Sequence, residues 1–194
     1  MKPLSLALTT ALLAASASLP AAAQTASAQV NVTGFVAPRC GALDGSTTVT
    51  GSIALGELAG QDGQIRTGLA NSTTGSPAGT VAMQIGCTGS AANLSLSATR
   101  LSNAAAPALA TSSNDIDYTV EAAIALATGG HSTVNYTTAA AAPAATPLAV
   151  NSTFAFVPGN LEIRVFDLTP EHAAPSLLVP GTYQATVTLQ ISPD

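Results

Sequence analysis

Short runs in which apolar and polar residues alternate recur along the chain, each bounded by Gly, Pro, Asn or Asp. The first is Gln29-Val30-Asn31-Val32-Thr33-Gly34-Phe35-Val36. Val81 to Cys87, Ala92 to Ala98, Ile116 to Ala122 and Leu161 to Phe166 repeat the pattern, and Tyr183-Gln184-Ala185-Thr186-Val187-Thr188-Leu189-Gln190-Ile191 is its clearest instance. A period of two sends successive side chains to opposite faces, so each run predicts a half-buried strand. No helical pattern competes: the best candidate, Val120 to Ala127, reads equally well as a strand, because Val120, Ala122, Ile124 and Leu126 share one side. Alanine is abundant, but its runs are interrupted by Pro, Gly and β-branched residues, which break helical periodicity. Many short strands without intervening helices predict an all-β domain, a sandwich in preference to a barrel. Residues 103–113 and 137–152 are low-complexity and read as surface loops. Residues 41–45 and 60–63 read as turns.

The front of the chain follows a different rule. Lys2 supplies a positive start, Leu4 to Leu19 is apolar and uncharged, and Pro20-Ala21-Ala22-Ala23 offers small residues for cleavage. This is the pattern of a secretory signal peptide over residues 1–23; Ala26-Ser27-Ala28 is an alternative cleavage site. Residues 24–194 then form a single domain, a normal size for one core. No later stretch reaches the roughly 20 apolar residues of a spanning helix, so no membrane span is expected after cleavage.

Charge narrows the function classes. Charged residues make up 8% of the chain, with ten acidic residues against five basic ones. Beyond Lys2 the only cations are Arg39, Arg66, Arg100 and Arg164. Such a chain cannot build the basic footprint that phosphate backbones or anionic membranes require, so nucleic-acid binding is not expected. The polarity comes from Ser, Thr, Asn and Gly, a surface suited to packing against copies of itself. Cys40 and Cys87 are the only cysteines, and an even pair in an exported protein predicts a disulfide. With only His131 and His172 besides, they make no metal-ligand cluster.

At the first strand, the cysteines and the last strand, the chain resembles the pilin subunits of chaperone-usher fibres, including their spore-coat-U-like relatives. Val30-x-Val32-x-Gly34-x-Val36 shortly before Cys40 is similar to the family's N-terminal donor segment, here residues 24–38. Cys87 matches the second cysteine, and Gly181-Thr182-Tyr183 followed by the alternating tail resembles the closing strand. Classical pilins of the family commonly carry an aromatic residue next to the C-terminus. This chain ends Ile191-Ser192-Pro193-Asp194, which fits the spore-coat-U-like or archaic branch better. The resemblance implies an immunoglobulin-like sandwich that lacks one strand. A neighbouring copy's arm would fill the vacancy by β-augmentation, main-chain bonds supplying affinity and alternate side chains entering pockets. Val30, Val32 and Val36 would be inserted, Gly34 would fit where the groove is shallow, and Tyr183, Ala185, Val187, Leu189 and Ile191 would line the groove. The resemblance also implies a periplasmic chaperone, an outer-membrane usher and export to a surface pilus serving adhesion or biofilm formation.

Nothing else carries chemistry. The chain has no Gly-x-Ser-x-Gly elbow, phosphate loop or dinucleotide fingerprint,. Asp115 and Asp117 are paired carboxylates within a strand pattern, His131 and His172 sit in loop-like contexts, and the absence of tryptophan counts against stacking sugars on rings. No catalytic residue, metal or cofactor is therefore expected. The rival to a fibre subunit is a self-complete β-sandwich binding a glycan or surface ligand through its loops, with residues 29–36 paired inside their own sheet.

Overall fold

The computed structural model describes residues 31–43, 49–105, 107, 111–139, 147–172 and 176–194. The expected signal peptide, Val30 and residues 140–146 of the second low-complexity segment lie outside them. The chain divides into two compact units, Met1–Phe35 and Val36–Asp194. Of the first, residues 31–35 are described, and they carry no strand.

The regular structure of the second unit is almost entirely strand. In chain order these are β1 (Cys40–Gly41), β2 (Gly79–Met83), β3 (Gly86–Cys87), β4 (Ala92–Ala98), β5 (Leu101–Ser102), β6 (Ser112–Ser113), β7 (Asp115–Ala125), β8 (His131–Thr137), β9 (Leu148–Val150), β10 (Leu161–Pro170), β11 (Leu177–Leu178) and β12 (Val187–Pro193), with one helical turn, α1 (Thr67–Ala70). The larger sheet is antiparallel and five-stranded: β2, β10, β7 and β5 are successive neighbours and β8 also pairs with β7. The smaller has three antiparallel strands, β12 and β9 flanking β4. β1 pairs with β3, and β6 with β11 in parallel.

The period of two in the sequence becomes one core. Leu94 and Leu96 of β4, Val120 and Ile124 of β7, and Ile163 and Val165 of β10 are all buried in the same cluster. Each such aliphatic side chain contributes about 1.5–3 kcal/mol by leaving water. Two carboxylates on β7 are also buried, which demands partners: Glu121 accepts from Arg164 at 3.0 Å, and Asp117 from Arg100 at 2.9 Å.

Several elements depart from the pattern in the sequence, for reasons outside it. The run 81–87 is divided between β2 and β3 because the buried Asn160 side chain takes both backbone groups of Ile85: Ile85 N–H donates to Asn160 Oδ1 at 2.9 Å and Asn160 Nδ2 donates to the Ile85 carbonyl at 2.7 Å. The last strand begins at Val187; ahead of it only Gln184 makes a bridge, to Ser102. The segments read as loops contain β6 and β9, and His131 opens β8 instead of lying in a loop. β10 bulges between Phe166 and Thr169, where Asp167 takes a left-handed conformation (φ 57°), an uncommon backbone for a residue with a side chain.

Cys40 and Cys87 form a disulfide across the β1–β3 pair. It closes a loop of 47 residues, so removing it is expected to lower the unfolding free energy by about 4 kcal/mol in the chain-entropy account. Urea titrations of the oxidised protein and of the Cys40→Ser, Cys87→Ser double variant measure the difference.

Candidate functional site

The larger sheet offers more inner surface than the smaller one covers, and the uncovered part is a groove of about 1040 Å³. Its floor is Val81 and Met83 of β2, Leu161, Ile163 and Val165 of β10, and Tyr118 of β7. One wall is residues 183–191 and the other residues 49–55. Tyr183, Ala185, Val187, Leu189 and Ile191 all border it, as does Cys40 at one end.

Two features distinguish the walls of the groove. β4 and β12 are paired in register, Leu94 against Ile191, Leu96 against Leu189 and Ala98 against Val187. On β4, Leu94 and Leu96 are fully buried, whereas Val187, Leu189 and Ile191 on β12 are only half-buried. The two rows point the same way, and the difference follows from pairing: β12 is hydrogen-bonded to β4 alone, and among the described residues no strand is paired along its groove side. The opposite wall repeats the situation. Val49, Ile53 and Leu55 are half-buried at alternate positions while Thr50, Ser52 and Ala54 are exposed, which is strand periodicity. Yet no backbone hydrogen bond joins residues 49–55 to another described residue. This wall was missed in the sequence, although Val49-x-Gly51-x-Ile53-x-Leu55 alternates as plainly as the predicted strands.

The direction of each wall follows from its neighbours. Gly51 lies against Val81 and Met83, and Gly79 against Ile53 and Leu55. Met83 pairs with Leu161 and Gly79 with Val165, so residues 49–55 run from the Leu161 end of the groove toward the Val165 end. β12 runs the other way. Its approach is tied at Gln184 to Ser102, and Tyr118 Oη donates to the Thr99 carbonyl at 2.8 Å on that side, while the disulfide closes the Leu161 end beyond Ile85. Tyr183 Oη donates to the carbonyls of Ser113 and Val179, each at 2.9 Å, and fixes the far mouth.

Of the expected inserted residues, Val30 lies outside the described residues. Val32 is 91% exposed and Phe35 88%, Val36 is also exposed, and nothing packs within 4 Å of where a Cβ on Gly34 would stand. The histidines and Asp115 do not join the groove lining. His172 Nδ1 lies 3.4 Å from Ser113 Oγ, but that serine is fully buried and accepts from the His172 backbone N–H, so the pair presents no nucleophile to solvent. Among the described residues no cluster of three or more His, Cys, Asp or Glu is placed to hold a metal, and no helix is long and apolar enough to cross a membrane. No family model, curated protein or solved structure matches the chain.

Tyr118, on the groove floor and 3% exposed, has its phenol pushed up to about 12 by burial, with Tyr136 adding to the shift. The folded state therefore favours the neutral ring. Its contribution is fully present below the ordinary value near 10 and is lost as pH rises from there toward 12, up to about 2–3 kcal/mol. Denaturant midpoints recorded across that window should fall for the wild type more steeply than for Tyr118→Phe, which starts about 1 kcal/mol lower for want of the Thr99 hydrogen bond.

Proposed function

We propose that this protein is a structural subunit of an exported surface fibre, an immunoglobulin-like sandwich short of one strand and completed by the arm of another copy. The observation that carries the reading is the groove between residues 49–55 and β12, apolar on its floor and flanked on both sides by unpaired backbone. An unpaired sheet edge is a template for another strand, and an alternating segment such as Val30-x-Val32-x-Gly34-x-Val36 offers both the main-chain partners and the side chains for the floor.

Strand direction argues that the arm comes from another molecule. A strand antiparallel to β12, as in the ladders of both main sheets, enters at the disulfide end and finishes near Tyr183. Between Tyr183 and Ile191 an extended chain covers about 25 Å. From Val36 to Cys40 the chain reaches at most about 14 Å, so a copy's own Val36 cannot lie at the far mouth of its own groove. An arm from a second copy has no such tether, and repetition of the head-to-tail contact makes a filament. The inserted strand is then antiparallel to β12 and parallel to residues 49–55. By family resemblance, a periplasmic chaperone and an outer-membrane usher deliver the subunits, and the fibre serves adhesion or biofilm formation.

Two variants test the scheme together. Val32→Asp removes a competent arm and keeps the groove; Leu189→Asp blocks the groove and keeps the arm. Each alone should stay monomeric where the wild type polymerises. Mixed, they should stop at heterodimers, seen by light scattering and electron microscopy, with circular dichroism checking that both fold. Filaments from either variant alone would overturn the reading, as would a wild type that stays monomeric after chaperone release.

A further inference from the structure

The exposed large apolar residues are not scattered. Among the described residues they are Val32, Phe35 and Val36 in the arm, Leu43, Phe156 and Val157, and Leu177. Leu43 and Phe156 converge on Gly86, where an added Cβ would sit 3.1 Å from Leu43 Cδ2 and 3.7 Å from Phe156 Cε2. Gly86 precedes Cys87 and pairs with Gly41, so this patch surrounds the disulfide at one end of the groove. Leu177 lies at the other end: its Cδ2 would stand 3.2 Å from a Cβ on Gly63, and Leu178 N–H donates to the Gly63 carbonyl at 2.8 Å. The outward faces of the two sheets carry none of the seven.

We propose that Leu43, Phe156 and Val157 form a second contact between successive copies, seated against residues 177–182 of the copy whose groove holds the arm. The inference rests on the donor-arm reading and deepens it. An arm that finishes at the Tyr183 mouth leaves only Ala37-Pro38-Arg39 before Cys40 of the donating copy, at most about 14 Å of chain. Proline in that tether fixes one backbone angle and stiffens it further. The disulfide end of the donating copy is therefore held against the Tyr183 end of the accepting one, and the patch around Gly86 has no other surface within reach. Covering an exposed phenylalanine and two aliphatic residues with the neighbour's 177–182 loop removes apolar surface that a lone copy leaves in water.

The test places the photoreactive residue p-benzoylphenylalanine at position 156 in the full chain, assembles filaments and irradiates them. Cross-linked dimers should map by mass spectrometry to residues 177–184 or 57–63 of the neighbouring copy. Filaments that form normally but yield no cross-link, or cross-links to the outward sheet faces, would overturn this contact and leave the donor-arm reading standing; absence of filaments even from the unmodified chain would remove both. Independently, the double variant Leu43→Ser, Phe156→Ser should still polymerise, because arm and groove are intact, while its filaments should break to lengths shorter by at least about twofold under the same sonication, having lost the apolar contact beside each tether. Filaments as long as the wild type's would count against the contact.

Discussion

The structure turns on a mismatch in coverage: five strands present an inner face that three strands and one extended segment only partly roof. Backbone groups are obligatory hydrogen-bonding groups, and leaving them without partners beside an apolar surface is costly in any environment short of full hydration. At the groove, β12 and residues 49–55 offer such groups on facing edges, above Met83, Leu161, Ile163 and Val165. The proposed arm meets both demands at once: a helix brings no free backbone and a small apolar ligand brings none either, whereas an extended strand brings backbone partners and side chains together. The half-burial of Val187, Leu189 and Ile191 beside fully buried Leu94 and Leu96 is the same mismatch seen in side chains.

Charge placement fits an edge left open. Natural sheets blunt their edges with lysine, proline or inward charges, and this chain has no lysine beyond Lys2. The outward residues on the groove walls, Thr50, Ser52, Thr188 and Gln190, are neutral. Two of the arginines are committed elsewhere: Arg164 neutralises Glu121 and Glu162, and Arg100 bridges Asp117 and Glu171. The buried carboxylates on β7 need those partners, since removing one would strand a charge in the sheet. What remains free of ion pairs among the described arginines, Arg39 and Arg66, lies off the groove walls.

Much of this was legible because strand periodicity is local. The runs at 92–98, 161–166 and 187–191 alternate over enough residues to identify themselves, and the structure pairs each of them. The disulfide was legible from the count of cysteines together with the expected export. What escaped depended on distant partners or on permissive residues. Nothing near Ile85 announces that Asn160 will cap its backbone and divide the strand. Leu148–Val150 is a strand only because β4 has an edge to offer. Residues 49–55 alternate, but Gly51 and Ser52 interrupt the apolar row, and the lack of a ladder to any described residue means that even the folded unit does not declare the segment a strand.

Those small residues also set the size of the vacancy. An added Cβ on Gly79 would overlap the Ile53 side chain, and one on Gly51 would sit 3.0 Å from Val81 Cγ2 and 3.1 Å from Met83 Sδ. The wall formed by residues 49–55 can therefore lie close over β2 only while both positions lack a side chain. Were either larger, the wall would lift away from β2 or tilt across the groove, and its distance from β12 would no longer be set by direct contact with the floor. Adjacent strands in a sheet are about 4.7–4.9 Å apart, so one strand bonded on both sides needs its flanking strands at about twice that spacing. On the proposed donor-strand reading, the spacing of the two walls depends on that close approach. The glycines at 51 and 79 thus set how closely this wall packs on β2, and on the proposed reading they belong to the recognition geometry although neither offers an atom to the arm.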